Sequence, residues 1–218
     1  MKHTLRAIAR LLGYPDAAWR DHLDALRDAL HDERALASGR LAELDALADR
    51  IASIAPLQAE AEYVELFDRG RATALHLFEH VHGDSRERGP AMIDLLRTYE
   101  DAGLELAPGE LPDHLPVLLE YASTQPPEAA RELLREVVHI LEAIHAALLR
   151  RRSLYAAAIG ALLDLAGMRS GRPAAAADDE PPLDAVWEEP PVFGGCSNAG
   201  QAQPIRIVRQ AGATGARA

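Results

Sequence analysis

Lysine is almost missing from this 218-residue chain, with Lys2 its one example, and cysteine is as scarce, with Cys196 alone. One cysteine excludes an internal disulfide framework. A lone lysine at the second position excludes the phosphate loop G-x-x-x-x-G-K-[ST], and with it nucleotide hydrolysis of that kind. No apolar run is long enough to span a bilayer, so stable membrane insertion is not expected. Residues 1–16 carry charges throughout, where a signal peptide has an apolar core, and the expected location is the cytoplasm. Basic residues are in deficit, 23 against 34 acids, for a net charge of −11. Phosphate contacts need clustered Lys and Arg, so nucleic acid is not an expected partner, whereas a basic ligand is readily accommodated.

Hydrophobic residues make up 48% of the chain, enough for a core that needs no disulfide or metal staple. Composition breaks near Arg169. Residues 170–218 hold 6 of the 14 prolines and 6 of the 15 glycines, and such a segment buries too little apolar surface to offset its ordering entropy. The expectation is a folded domain over 1–169 and a flexible Pro/Gly/Ala-rich tail over 170–218. The folded part keeps 28 acids and 19 bases, so most of the acidity belongs to it.

That part reads as helix almost everywhere. Trp19, Leu23, Leu26 and Leu30 recur at helical spacing after Pro15-Asp16, a helix start. Leu41, Leu44, Leu47 and Ile51 repeat the pattern up to Pro56. Further stripes run through Val64 and Phe67, through Leu75, Phe78 and Val81, and through Met92, Leu95, Leu96 and Tyr99. Leu115, Leu118, Leu119 and Ala122 mark a short helix, Leu134 to Leu148 the longest, and Leu154 to Leu165 the last. Sustained period-two alternation is absent before the tail, where only Ile205-Arg206-Ile207-Val208 looks strand-like. The fold class is therefore all-α: one irregular helical bundle of about eight or nine helices, with no solenoid repeat.

The sharpest local motif is His76-Leu77-Phe78-Glu79-His80, which fits H-x-x-E-H. On a helix the two imidazoles would share a face and could hold zinc, with Glu79 polarising a bound water. A zinc-dependent hydrolase is thus the alternative reading. The plainer one is a histidine-rich helix end, where imidazoles sit well near the last carbonyls. Asp84 is placed to cap the helix leading to Met92, with Glu87 as its capping-box partner, and Arg86 and Arg88 to pair with nearby acids. Asp113, or the turn before it, is placed to cap the helix that follows, where Pro116 suits the first turn. Arg150-Arg151-Arg152 reads as a solvated cluster at a helix C-terminus. No G-x-S-x-G elbow occurs.

The run from Glu62 through Gly70 (EYVELFDRG), followed by His76 through Met92 (HLFEHVHGDSRERGPAM), resembles the NarJ family of nitrate reductase assembly chaperones. Leu111 through Tyr121 (LPDHLPVLLEY) is similar to a second motif of that family, Leu11 through Pro15 (LLGYP) to its N-terminal segment, and Trp187 through Gly195 to its C-terminal stretch. The resemblance spans nearly the whole chain. It implies an all-helical fold, no catalytic activity and no resident cofactor. The implied partner is the catalytic (alpha) subunit of respiratory nitrate reductase, including its N-terminal leader-like peptide, bound before or during molybdenum cofactor insertion. Transient contact with the cofactor-insertion machinery is implied as well. Candidate partner-binding residues from the matched motifs are Tyr63, Leu66, Phe67, Asp68, Arg69, His80, Asp84, Arg86, Arg88, Asp113, His114 and Glu120. For Leu66 and Phe67 the competing role is core packing, and for Asp68 and Arg69 a surface ion pair worth about 0–1 kcal/mol.

Overall fold

Periodic apolar stripes of this kind produce helices whose faces must be buried against one another. A computed structural model describes residues 1–83 and 85–168 and shows eleven α-helices among them, with no strand. In chain order these are α1 (Lys2–Leu11), α2 (Ala17–Arg20), α3 (Leu23–Glu33), α4 (Ser38–Ser53) and α5 (Pro56–Tyr63). Then follow α6 (Leu77–Val81), α7 (Arg88–Asp101), α8 (Leu115–Thr124), α9 (Pro127–Glu136), α10 (Val138–Arg150) and α11 (Ala156–Leu165). The tail expected over 170–218, its strand-like run included, lies outside the described residues.

The all-α irregular bundle is as the periodicity predicts. The helices are more numerous because two stripes are interrupted. The stripe from Trp19 to Leu30 is split into α2 and α3, with Asp16 Oδ1 accepting from Trp19 N at 2.7 Å to start the first. The stripe from Leu134 to Leu148 breaks at Val137 (φ −99°, ψ 9°), which lets α9 and α10 each take its own course over α11. The helix α1 adds a further element, its Leu5, Ile8 and Leu11 buried against α8 and α3.

At the centre lies α11. Nine of its ten residues are buried, which is how a helix apolar on all sides must sit. Full burial of each Leu or Ile there contributes about 1.5–3 kcal/mol. Its one polar residue, Asp164, accepts from Arg40 Nε on α4 at 2.8 Å. The start of α1 is held by Glu33, at the end of α3. Its carboxylate accepts from Thr4 N at 2.7 Å and Thr4 Oγ1 at 2.6 Å, and lies 2.8 Å from the Met1 ammonium.

From Tyr63 the backbone runs on from α5 into a wider π-helical turn, Val64–Asp68, and then into a 3₁₀ turn at Arg71–Thr73. Gly70 between them is required by space. A β-carbon there would fall 2.5 Å from Leu66 O and 2.4 Å from Thr73 Oγ1.

Candidate functional site

Two places gather the residues that the sequence singles out. The first is a polar junction where α6 and the start of α8 meet. His114 precedes α8 in extended conformation (φ −69°, ψ 122°), and Pro116 occupies the first turn, where no amide is needed. His76 is likewise extended (φ −85°, ψ 105°). The two segments pair antiparallel about a single bridge between these histidines: Leu77 N donates to Asp113 O and Leu115 N donates to Leu75 O, both at 2.9 Å. The bridge stacks the two imidazoles, with centroids 5.0 Å apart.

Between the two segments lies the Asp113 side chain, fully buried. Its Oδ2 accepts from Phe78 N at 3.1 Å, and its Oδ1 lies 3.4 Å from His76 Nδ1. Asp113 therefore caps α6, 35 residues away in sequence, and not the helix that follows it. Arg88, at the start of α7, reaches Asp113 Oδ2 at 3.7 Å and Glu79 Oε1 at 3.6 Å. Burial acts to raise the Asp113 carboxyl, but the bonds from His76 and the Phe78 amide, with the charges of His76 and Arg88, hold it below the usual carboxylate range. The hydrogen bond to Asp113 raises the His76 pKa against the opposing effect of burial. His114 is pushed the other way, by burial and by the His76 charge.

This geometry removes the premise of the zinc reading. The helix starts at Leu77, with His76 outside it, so His76 and His80 do not form a helical pair one turn apart. His76 turns to Asp113, while His80 Nε2 donates to Ala74 O at 2.8 Å. Among the described residues no group of three or more His, Cys, Asp or Glu is arranged to hold a metal ion. The capping box expected for α7 is also displaced, because that helix begins at Arg88 with Glu87 as its N-cap. Asp84 lies outside the described residues, and Arg86 is exposed without an ion pair to another described residue.

The second place is a groove of about 930 Å³ between the α4–α5 corner, the π-helical turn and the turn joining α10 to α11. Leu47, Ile51, Ile54, Leu57, Leu66, Leu154 and Tyr155 line it. Leu57 is 77% exposed and Leu154 44%, large apolar side chains left in water. Beneath them Tyr63, Phe67 and Tyr155 form an aromatic cluster with centroids 4.8–6.2 Å apart, and the Tyr63 hydroxyl donates to Leu12 O at 2.8 Å. Burial pushes the Tyr63 phenol pKa upward. Around the rim Arg50 pairs with Glu62 at 3.0 Å and Arg69 with Glu65 at 3.1 Å.

Of the candidate residues, Leu66 and Arg69 face the groove, while Tyr63 and Phe67 are buried under it as core. Asp68 is exposed, and the surface pair of Arg69 is made with Glu65 instead. His80, Arg88, Asp113 and His114 gather at the junction, whereas Glu120 is exposed on α8. Sequence reasoning missed Ile54, Leu57, Leu154 and Tyr155 in the groove. Arg150, Arg151 and Arg152 are exposed at the C-terminal end of α10, as read from the sequence, and Arg151 and Arg152 also line the groove. The available signal was apolar residues at helix ends, which periodicity counts as core.

The described residues thus form an irregular helical bundle with an open apolar groove and a buried polar junction. The fold is similar to a crystal structure of a candidate redox enzyme maturation protein from Archaeoglobus fulgidus, with a TM-score of 0.54 over 75% of this chain and 92% of that one, at 20% identity. Residues 15–160 match the family model of the nitrate reductase delta subunit, and the chain belongs to that family. It is 46% identical over 190 residues to the nitrate reductase molybdenum cofactor assembly chaperone NarJ of Escherichia coli K12, spanning 84% of this chain and 80% of NarJ. A stretch of 80 residues, 36% of the chain, is 49% identical to 12% of the nitrate reductase-like protein NarX of Mycobacterium tuberculosis.

Proposed function

We propose that this chain is a nitrate reductase assembly chaperone and not a catalyst. In this reading it binds the catalytic subunit, including its N-terminal leader-like segment, in the cytoplasm, and supports molybdenum cofactor insertion before the enzyme assembles on the membrane. The observation that carries the reading is the 46% identity to NarJ across most of both chains. The groove supports it physically. An amphipathic peptide helix laid into an apolar groove gains about 25 cal/mol per Å² of apolar area buried, offset by the cost of association and ordering. Leu66 and Arg69 would touch the peptide directly, and Tyr63 and Phe67 would hold the floor beneath it. Asp68, His80, Asp84, Arg86, Arg88, His114 and Glu120 are assigned to contacts with the rest of the partner, and Asp113 to positioning them. Among the described residues no helix is long and apolar enough to cross a membrane.

The groove lining carries four arginines and three glutamates, so the acidity that draws a basic ligand lies elsewhere on the surface. Charge should then act on encounter and apolar contact on residence. The test is calorimetry and stopped-flow mixing with a peptide copying the start of the catalytic subunit. Saturable binding is expected, with association slowed several-fold by salt and dissociation changed less. Leu57→Asp and Leu154→Asp, both at exposed positions, should weaken binding at least tenfold while the fold melts as before. Absence of saturable binding at micromolar protein would refute leader recognition.

A further inference from the structure

The long helix α7 is attached to the domain by few buried residues. Of its fourteen residues only Tyr99 is buried, whereas α8 buries six of ten. Met92 and Leu96 are only half-buried, although they belong to the apolar stripe that makes the segment a helix, and Ile93 beside them is 52% exposed. Its attachments lie towards its two ends. At the N-terminal end Arg88 makes the two long ionic contacts with Glu79 and Asp113. Near the C-terminal end the Tyr99 hydroxyl donates to Pro112 O at 2.8 Å, and its ring lies 5.0 Å from that of Tyr121. Between these points Leu95 packs on the core from the edge.

The flanking backbone is suited to hinging. Gly83 (φ +51°) precedes the helix and Gly103 (φ +76°) follows it, both in the left-handed region that glycine enters without strain. From Gly103 to His114 the chain forms no helix. Hinges are formed by a few such positions at element ends, and segments with few buried contacts open first.

From these observations we infer that α7 is a strap, a helix that detaches from the domain while α8, α10 and α11 stay folded. Both tethers converge on the segment Pro112-Asp113, which also caps α6 and leads into α8. Lifting the strap uncovers the Tyr121 ring and the Pro112 carbonyl without opening the central helices. The inference stands on the chain alone and is independent of which partner it binds.

Hydrogen exchange of the full chain, read by mass spectrometry, tests it. Amides of α7 should exchange at least a hundredfold faster than those of α8 and α10. Tyr99→Phe, which deletes one tether and keeps the ring, should speed α7 exchange about fivefold further, the loss of one hydrogen bond, and leave α8 and α10 unchanged. The inference is overturned if α7 exchanges at the rate of α8 and α10. It is equally overturned if Tyr99→Phe speeds all three helices together.

Discussion

Replacing Asp113 gives the strongest test of how the matched motifs are joined. Asp113→Ala removes a fully buried carboxylate, leaves Phe78 N without its acceptor at the start of α6, strips His76 of its ionic partner, and takes from Arg88 one of its two, Glu79 remaining. Loss of the cap costs about 1 kcal/mol. Loss of charge-assisted contacts to groups that stay partly buried adds about 2 kcal/mol. The expected total is about 3 kcal/mol, which for a domain of this size lowers Tm by about 6–12 °C. Asp113→Asn keeps an oxygen for Phe78 N and loses only the charge, so about 1–2 kcal/mol should go. Urea unfolding followed by circular dichroism measures both, and the slope should stay at the wild-type value. The pH dependence carries a sign. The depressed Asp113 pKa gives stability that is present above the ordinary value of 3.8 and lost as pH falls through the folded value. The raised His76 pKa gives stability that is full below 6.5 and lost as pH rises through its folded value. The difference between wild type and Asp113→Asn should therefore be largest between about pH 4 and 6.5 and shrink on either side. Equal losses for Ala and Asn, or a difference flat in pH, would refute the junction as described.

Three further outcomes follow from single contacts. Burial acts to raise the Glu33 pKa, but bonds from the Met1 ammonium and from Thr4 lower it to about 2, so Glu33→Ala should cost about 2 kcal/mol at neutral pH, a gap that closes in a urea series as pH falls from 4.5 towards 2. Gly70→Ala forces a β-carbon against Leu66 O, a backbone atom that cannot swing aside, and should cost about 1–3 kcal/mol in the same assay. Burial, then the nearby Arg40 charge, lowers the His145 pKa, so its share of stability is present above 6.5 and lost on acidification; His145→Gln should melt with less change between pH 7 and 5 than wild type.

Helix content was legible because the apolar stripes are local. Trp19, Leu44, Leu47, Leu134 and Leu148 lie where period 3.6 puts them, in the core. The junction was not legible, because its bonds join residues 35 to 37 apart and no local pattern announces such a partner. Asp113 reads as the cap of its own helix, and only the packing of α6 beside α8 redirects it. The same long-range bond misleads at His76. The sequence pattern places it inside a helix, but with Asp113 holding Phe78 N the helix starts one residue later. The groove escaped notice for another reason. Leu57 and Leu154 are apolar, and composition cannot distinguish a leucine in the core from one left in water at a helix corner.

If this chain serves nitrate reductase assembly, its absence must show in the enzyme's metal. The most direct measurement is the molybdenum content of the catalytic subunit, purified from anaerobic, nitrate-grown cells that lack this chain or carry it restored. The subunit should accumulate without molybdenum when the chain is missing, regain it with the wild-type chain, and stay depleted with Leu57→Asp and Leu154→Asp combined. Catalytic subunit fully loaded with molybdenum in the absence of the chain would contradict that role.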